Sequence, residues 1–251
     1  MRLALLAIPA VRSAIELELG RRVEYRASLP STQDRARELG GSGSAPLVVV
    51  AEEQTAGRGT HGRSWFAPAG KGLLASWLFR PAPAEPALFA LLAGVAVARA
   101  LDGLGMSTAL LKWPNDVEVG RKKVAGALAH ATTDGEGGSL VLGIGVNVHQ
   151  RREDFPSELR ESATSLALAG HTVDRLSLLV RLTRELDRVA GPSERRLALD
   201  EWRRRATLLG QRVEVLREGR TAARGIARDI ADDGALIVGD ERIAAGEVRL
   251  Q

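Results

Sequence analysis

The sequence of 251 residues contains no cysteine, and its four histidines lie far apart, at positions 61, 130, 149 and 171. The lack of cysteine excludes disulfide bonds, thiolate metal ligands and cysteine nucleophiles. The histidines show none of the short spacings with which proteins bind transition metals. We therefore expect no dedicated metal site built from protein side chains.

Long apolar runs are also missing from the sequence. No stretch reaches the roughly 18 consecutive apolar residues that a membrane-spanning helix requires. The apolar segment 1–10 is shorter than a typical secretion signal with its cleavage site. We expect a cytoplasmic protein that does not enter a membrane.

Aromatic residues are scarce at 4%, and lysine occurs only at positions 71, 112, 122 and 123. The formal net charge of +4 would suit nucleic acid. Arginines alternate with acidic residues, however, as in 181–188, and no basic cluster contains interleaved aromatic side chains. We expect a mixed, solvated surface and no binding of DNA.

The patterns that are present predict a mixture of helices and strands. A helix should begin after Ser31, which can cap it, and end at 40–41, before a flexible Gly/Ser-rich loop that extends to 45. Apolar spacing predicts further helices at 88–98, 173–190 and 194–208. Strands are predicted at 47–51, 73–79, 109–113, 117–119, 124–130 and 139–148.

The pattern changes after Gly210. Short apolar segments separated by turn signals such as Asp233-Gly234 predict four or five strands, which fit a small barrel. We place the domain boundary near 208, giving a large domain at 1–208 and a C-terminal module at 209–251. The module contains no cluster of reactive side chains, so we expect it to assist the large domain, which should fold without it.

The strongest local motif is the glycine-arginine loop at 54–65. Its glycines let the backbone approach a ligand closely, and free N–H groups there could bind an anion. Arg58 and Arg63 match carboxylate and phosphate groups, and Trp65 offers a flat face for a purine. The alternative for such a loop is a solvent-exposed segment with a half-buried tryptophan. It is not a phosphate-binding P-loop, because the Gly-Lys-Ser/Thr ending is absent.

Three further segments accompany this loop. Lys112 to Asp116 follows a predicted strand, and the Trp-Pro pair within it stiffens the backbone that carries Lys112. Taken alone, Lys112 could be a lysine at a strand edge, and Asn115-Asp116 a plain turn. Strand glycines at 126, and at 143 and 145, suggest walls against which a ligand lies closely. The segment 143–147 lacks the third glycine of a dinucleotide-binding motif, so we reject that interpretation.

Together, these segments resemble the biotin protein ligase family over roughly residues 28–150, with a continuation to the C-terminus. Lys112 to Asp116 matches the family's Lys-Trp-Pro-Asn-Asp segment in full. Ser31-Thr32-Gln33 is similar to its Ser-Thr-Asn element, with glutamine in place of asparagine. The other matching segments are Gln54 with 57–63 (the glycine-arginine loop), 123–126 (Lys-apolar-Ala-Gly) and 143–147 (Gly-x-Gly-x-Asn).

The resemblance implies an α+β fold, in which a mixed sheet with flanking helices, like that of class II aminoacyl-tRNA synthetases, precedes an SH3-like barrel. It implies a ligase with two reaction steps. Biotin carboxylate attacks the α-phosphate of MgATP to give biotinyl-5′-adenylate, and a lysine of a biotin carboxyl carrier domain then takes the biotinyl group and releases AMP. Mg²⁺ would be bound mainly by phosphate oxygens.

The resemblance also implies the roles of individual residues. Lys112 and Arg58 would be catalytic. The residues implied to bind biotin are Ser31, Thr32, Gln33, Gln54, Gly57, Arg58, Gly59, Thr60, Lys112 and Gly126. Those implied to bind ATP or the adenylate are Arg58, Arg63, Trp65, Lys112, Asn115 and Asn147.

Two departures from the family pattern qualify these expectations. Family members often carry a second arginine where this sequence has Thr60, so retention of the adenylate is open. The segment before Ser31 is too short for the helix-turn-helix domain of bifunctional members, so we expect no repressor activity. The alternatives are a lipoate or octanoate ligase of the same fold, a non-catalytic nucleotide- or biotin-binding module, and a DNA-binding regulator. Monomer and homodimer remain equally open.

Overall fold

The computed structural model describes residues 2–41, 46–83, 85–133 and 137–251. Most of the predicted Gly/Ser-rich loop, at 42–45, lies outside the described residues. The described chain forms a seven-stranded sheet with helices packed on it, followed by a second sheet of five strands. This arrangement confirms the predicted α+β class. Within the described ranges, no helix is both long and apolar enough to cross a membrane.

The large sheet is mixed, with strand order β1-β2-β3-β7-β6-β5-β4. Only β1 and β2 run parallel, and all other neighbours are antiparallel. Its strands are β1 (Arg22–Leu29), β2 (Leu47–Gln54), β3 (Gly72–Phe79), β4 (Leu110–Lys112), β5 (Asp116–Val119), β6 (Lys122–Thr132) and β7 (Ser139–Asn147). The helices are α1 (Pro9–Leu19), α2 (Thr32–Gly41), α3 (Pro86–Asp102), α4 (Arg175–Ala190) and α5 (Pro192–Arg205).

The first five residues of strand β2, 47–51, are apolar and buried because helices cover both faces of the strand there. Val48 and Val50 belong to the main core, which includes the buried residues of α3 and α4. Leu47 and Val49 point the other way and pack with Ala36 of α2. Successive side chains of a strand face opposite sides of the sheet, so a strand buried on both sides shows a continuous apolar run.

Helix α3 begins at Pro86, a residue suited to the first turn of a helix, and is followed by Gly103. It is apolar around its whole circumference, since the sheet covers it on one side and α4 and α5 cover it on the other. Helix α4 begins after Asp174, whose carboxylate accepts a hydrogen bond from the Ser177 backbone at 3.0 Å. The predicted helices thus occur, with ends shifted by a few residues.

The sequence patterns did not predict strand β1. Its side chains are mostly exposed or half-buried, and Val23 is the one fully buried residue in it. An edge strand of this kind shows no alternation of apolar and polar residues. It forms because its backbone pairs in parallel with β2, from Arg22 opposite Leu47 to Leu29 opposite Gln54.

The C-terminal module is an antiparallel sheet of five strands in the order β11-β10-β9-β8-β12. Its strands are β8 (Arg212–Arg217), β9 (Arg220–Ile230), β10 (Leu236–Val238), β11 (Glu241–Ile243) and β12 (Glu247–Leu250). Its buried residues belong to the same hydrophobic core as those of the large domain. At the junction, the buried Trp113 donates a hydrogen bond from Nε1 to the Gly234 carbonyl at 2.9 Å.

Candidate active site

The first part of the site lies at the N-terminus of α2. Ser31 caps the helix, accepting a hydrogen bond from the Asp34 backbone at 3.4 Å. Gln54, at the end of β2, accepts from both the backbone and the hydroxyl of Thr32, at 2.8 and 2.9 Å. The Thr32 hydroxyl also lies 2.8 Å from the hydroxyl of the buried Ser76. This network fixes several neutral hydrogen-bonding groups at the carboxyl end of β2.

The predicted glycine-arginine loop folds back on itself as a short hairpin. The Trp65 N–H donates to the Gly57 carbonyl at 3.0 Å, and the Gly59 N–H donates to the Arg63 carbonyl at 2.7 Å. A Cβ added at Gly57 would lie 2.6 Å from the Trp65 carbonyl oxygen, so this position has no room for a side chain. Because it donates to the Arg63 carbonyl, the Gly59 N–H is engaged within the hairpin. This corrects the expectation that it is free to bind an anion.

Trp65 lies flat against the glycines of the central strands. A Cβ added at Gly145 would lie 2.3 Å from Cε2 of Trp65, and one at Gly126 would lie 3.2 Å from Cζ3 of the same ring. In the same way, a Cβ at Gly143 would lie 2.7 Å from the side chain of Gln33. The strand glycines thus make room for two side chains of the site, whereas from the sequence we expected a ligand to lie against them.

Around Trp65 the chain forms an inner cavity. It is lined by the α2 N-terminus, the glycine-arginine loop and the central strands. Of the residues predicted to bind biotin, it contains Ser31, Thr32, Gln33, Gln54, Arg58, Gly59, Thr60 and Gly126. Gly57 is absent from this lining and borders a neighbouring groove.

An outer cavity adjoins the inner one. It is lined by charged side chains, namely Lys112, Asp116, Glu118 and Lys123, and by apolar residues that include Phe66, Phe155 and Leu159. Of the residues predicted to bind ATP, it contains Arg63, Trp65, Lys112 and Asn147. Arg58 and Asn115 line the inner cavity and not the outer one.

Lys112 was expected to be catalytic and to contact both biotin and ATP. It lines the outer cavity and not the inner one, with Nζ 3.9 Å from Glu118, and its role stays a prediction. Lys123 is the lysine that lines both cavities. Its Nζ lies 2.6 Å from Asp116 and 5.5 Å from the centre of the Trp65 ring. The strand order explains the different positions of the two lysines. Asp116 on β5 is paired with Lys112 of β4 on one side and with Gly126 of β6 on the other, so β5 separates Lys112 from Gly126.

Arg58 forms an ion pair with two hydrogen bonds to Asp34, at 2.7 and 3.1 Å, and Arg37 bonds to the same carboxylate. The guanidinium therefore ties the hairpin to α2. To bind a ligand anion, Arg58 would have to contact the anion and Asp34 together, or release Asp34.

The two predicted asparagines are already hydrogen bonded within the protein. Asn147 donates to the Thr164 carbonyl at 3.0 Å and accepts from Gln150 at 2.9 Å. Asn115 donates from its side chain to the Ala127 carbonyl. Both asparagines hold neighbouring backbone in place, so their direct contact with a nucleotide stays a prediction.

Sequence reasoning missed four residues that the structure places in or beside the site, namely Asp34, Asp116, Glu118 and Lys123. Asp116 and Lys123 belong to segments that the sequence had marked, but nothing in the pattern showed which lysine faces both cavities. Among the described residues, no three histidine or carboxylate side chains lie close enough to hold a metal ion.

This architecture matches known proteins. Residues 25–147 match the profile of the Biotin/lipoate A/B protein ligase family. Residues 208–250 match that of the biotin protein ligase C-terminal domain. The chain therefore belongs to the biotin protein ligase family.

Individual relatives agree with this assignment. The biotin–[acetyl-CoA-carboxylase] ligase of Mycobacterium tuberculosis is 39% identical over 217 residues, covering 80% of this chain and 76% of that protein. The bifunctional ligase/repressor BirA of Bacillus spizizenii is 37% identical and covers 67% of this chain. The chain spans about half the length of that curated relative, 54%. The biotin protein ligase of Aquifex aeolicus, solved in complex with biotin and ATP, is 30% identical with a TM-score of 0.74 and covers 91% of this chain and 98% of that one.

Proposed function

We propose that this chain joins biotin to ATP as biotinyl-5′-adenylate and then transfers the biotinyl group to a lysine of a biotin carboxyl carrier domain. The observation that carries the proposal is the position of Lys123 where the two cavities meet. The names of the relatives and the biotin- and ATP-bound Aquifex protein support the same substrates.

The inner cavity suits biotin. Its polar groups, Thr32, Gln33 and Gln54 among them, are neutral donors and acceptors of the kind that a ureido ring requires. Its apolar surface includes Trp65 and Ile144, which could pack against the bicycle of biotin. The carboxylate end of the ligand would then point towards Lys123.

The outer cavity suits the nucleotide. Its apolar residues can pack against the base, and its lysines can neutralise phosphate charge. Mg²⁺ would enter with the triphosphate, whose oxygens are its usual ligands, and would supply further charge neutralisation. Asp116 lines this cavity, but its carboxylate already binds Lys123.

In the first step, a biotin carboxylate oxygen bonds to the α-phosphorus, and the bond from that phosphorus to the bridging oxygen breaks to release pyrophosphate. Two anions must approach each other, so a fixed ammonium between them lowers the barrier. Asp116 is a positioning residue, because it holds the Lys123 ammonium at 2.6 Å on the cavity wall.

In the second step, a neutral amine of the carrier lysine attacks the carbonyl carbon of the mixed anhydride. The carbon–oxygen bond to the phosphate breaks, AMP leaves, and the nitrogen gives up a proton. The amine needs a route that the nucleotide does not block. A groove between the hairpin and the 244–246 turn of the C-terminal module opens into the inner cavity beside Thr60, and we assign this route to the carrier.

Exchange of labelled pyrophosphate into ATP tests the first step with the whole chain. Biotin should support exchange, and lipoate or octanoate should not. Exchange that depends on lipoate instead would assign the chain to the other branch of its family. The expectation that the chain binds no DNA stays a prediction.

A further inference from the structure

Glu118 is a mostly buried residue whose carboxylate borders the outer cavity and lacks a hydrogen-bond donor among the described residues. The residue is only 9% exposed and lies on the wall of the outer cavity. Its nearest cation is the Lys112 ammonium, at 3.9 Å, which is beyond hydrogen-bonding distance. Among the described residues, none donates a hydrogen bond to its side chain.

A carboxylate in this state costs folding free energy. Burial raises the pKa of Glu118, and the nearby Lys112, Arg121 and Lys123 only partly oppose that effect, while Asp116 adds to it. Buried carboxylates are normally stabilised by donors of hydrogen bonds. A bound ligand with an N–H or O–H group would provide the missing donor.

The position of Glu118 indicates which part of a nucleotide would do so. Asp116 and Glu118 lie on either side of Val117 on β5, and both line the outer cavity. Asp116 is paired with Gly126, at the junction with the inner cavity. Glu118 is two residues further along the strand, about 6–7 Å away from that junction.

The reacting phosphate belongs at the junction, beside Lys123. A carboxylate further along would repel phosphate oxygens, but it would attract donors on the nucleoside. The same cavity has apolar lining, with the side chain of Phe155 buried and that of Phe66 half-exposed. A cavity that combines apolar lining with a hydrogen-bond acceptor suits a base or a ribose.

We propose that Glu118 accepts a hydrogen bond from the nucleoside part of ATP, either the exocyclic amine of the base or a ribose hydroxyl, and thereby determines nucleotide specificity. The proposal deepens the proposed function, on which it rests. It makes Glu118 a ligand-binding residue, in contrast to a residue that only pairs with Lys112.

Calorimetric titration of the whole chain with ATP, inosine triphosphate, 2′-deoxy-ATP and 3′-deoxy-ATP tests this proposal. Glu118→Leu removes the hydrogen-bond acceptor and has a side chain of similar size. Glu118→Gln removes the charge but keeps an acceptor, and it serves as the test if the leucine variant does not fold. Glu241→Leu, at an exposed glutamate of β11, is the matched control. Circular dichroism verifies the fold of each variant.

We expect Glu118→Leu to weaken ATP binding by roughly 10-fold or more, the loss of one charge-assisted hydrogen bond. The same variant should bind one analogue as tightly as ATP. That analogue is inosine triphosphate if the base amine is the donor, and a deoxy-ATP if a ribose hydroxyl is the donor. Glu118→Gln should show an intermediate loss of ATP affinity, and the control none.

Two results would overturn the inference. One is an ATP affinity of a folded Glu118 variant within about twofold of the unmodified chain. The other is an equal loss for all four nucleotides, which would mean that Glu118 acts only by positioning Lys112. Failure of the proposed function would give a result that is distinct from both of these. The unmodified chain would bind ATP but would not catalyse biotin-dependent pyrophosphate exchange.

Discussion

At the scale of single residues, two lysines of the same sheet have different surroundings. Lys112 faces Glu118 in the outer cavity, whereas Lys123 faces Asp116 and Trp65 at the junction. The motif around Lys112 drew attention to it in the sequence. The register of β5 with β6 shifts between Val117 and Glu118, which is paired with Lys123, and this irregularity has no signature in the sequence.

We predict that Lys123→Ala lowers the rate of biotin-dependent pyrophosphate exchange by about 10²–10³, the usual effect of removing one preorganised electrostatic donor. Lys112→Ala should mainly raise the KM for ATP, because its ammonium lies away from the junction. Steady-state kinetics of both variants, each checked by circular dichroism, separates the two roles. A larger loss of kcat in Lys112→Ala would restore Lys112 as the catalytic lysine.

The buried Glu118 predicts a pH dependence of stability. Its pKa is raised in the folded state, mainly by burial, so between pH 4.5 and that raised value the folded chain holds more protons than the unfolded chain. Stability therefore falls as the pH rises through this window. Glu118→Gln removes this titration.

Urea unfolding should thus find Glu118→Gln more stable than the unmodified chain at pH 7, with the difference shrinking as the pH falls towards 4.5. A variant that is less stable at pH 7 would show that the Lys112–Glu118 ion pair stabilises the fold by more than the burial costs.

At the scale of elements, most helices and strands follow from the sequence, because their apolar periodicity records which face is buried. Strand β1 does not, since its side chains are mainly exposed and only its pairing with β2 defines it. The hairpin within 54–65 was expected as a loop without regular structure. Its turn depends on backbone hydrogen bonds such as that from Gly59 to Arg63, which composition alone does not indicate.

The contact of Trp65 with β7 predicts the effect of a single methyl group. Gly145→Ala would place Cβ 2.3 Å from the indole ring, so the ring must leave its position. Displacement of a site wall by about 1 Å can cost roughly 10²-fold in rate, and we expect a loss of that order in exchange.

Gly225→Ala is the matched control for this variant. Gly225 is also a strand glycine, on β9, and an added Cβ there would lie 3.5 Å from Val238 in ordinary contact. It should retain exchange, and its tryptophan fluorescence should not change. Normal exchange in Gly145→Ala would mean that the hairpin accommodates a displaced Trp65 without loss.

At the scale of the whole molecule, the architecture changes near residue 208, but the hydrophobic core is continuous across this boundary. Trp113, Leu88 and Leu91 of the large domain lie against the turn at Gly234. Arg203 of α5 also reaches Asp229 at 2.9 Å and the Ile230 carbonyl at 2.6 Å. The division of the chain near 208 stays a prediction, and the packing between the two parts could not be read from the sequence.

We therefore predict that deletion of 209–251 destabilises the large domain, in contrast to the expectation from sequence that it folds alone. The deletion exposes Trp113, Leu88 and Leu91. Each of these side chains then loses roughly 1.5–3 kcal/mol of the stabilising free energy that its burial contributes. Urea unfolding followed by circular dichroism measures the change. A truncated chain with an unchanged midpoint would show that the large domain does not need this packing.

The central claim is that one site activates biotin with ATP and delivers it to a protein lysine. The most direct measurement is the mass of a purified biotin carboxyl carrier domain after incubation with the chain, biotin and MgATP. We predict the gain of one biotinyl group on one lysine, dependent on ATP, with AMP and pyrophosphate formed in equal amounts. An unmodified carrier domain, or a gain only when lipoate replaces biotin, would contradict the account.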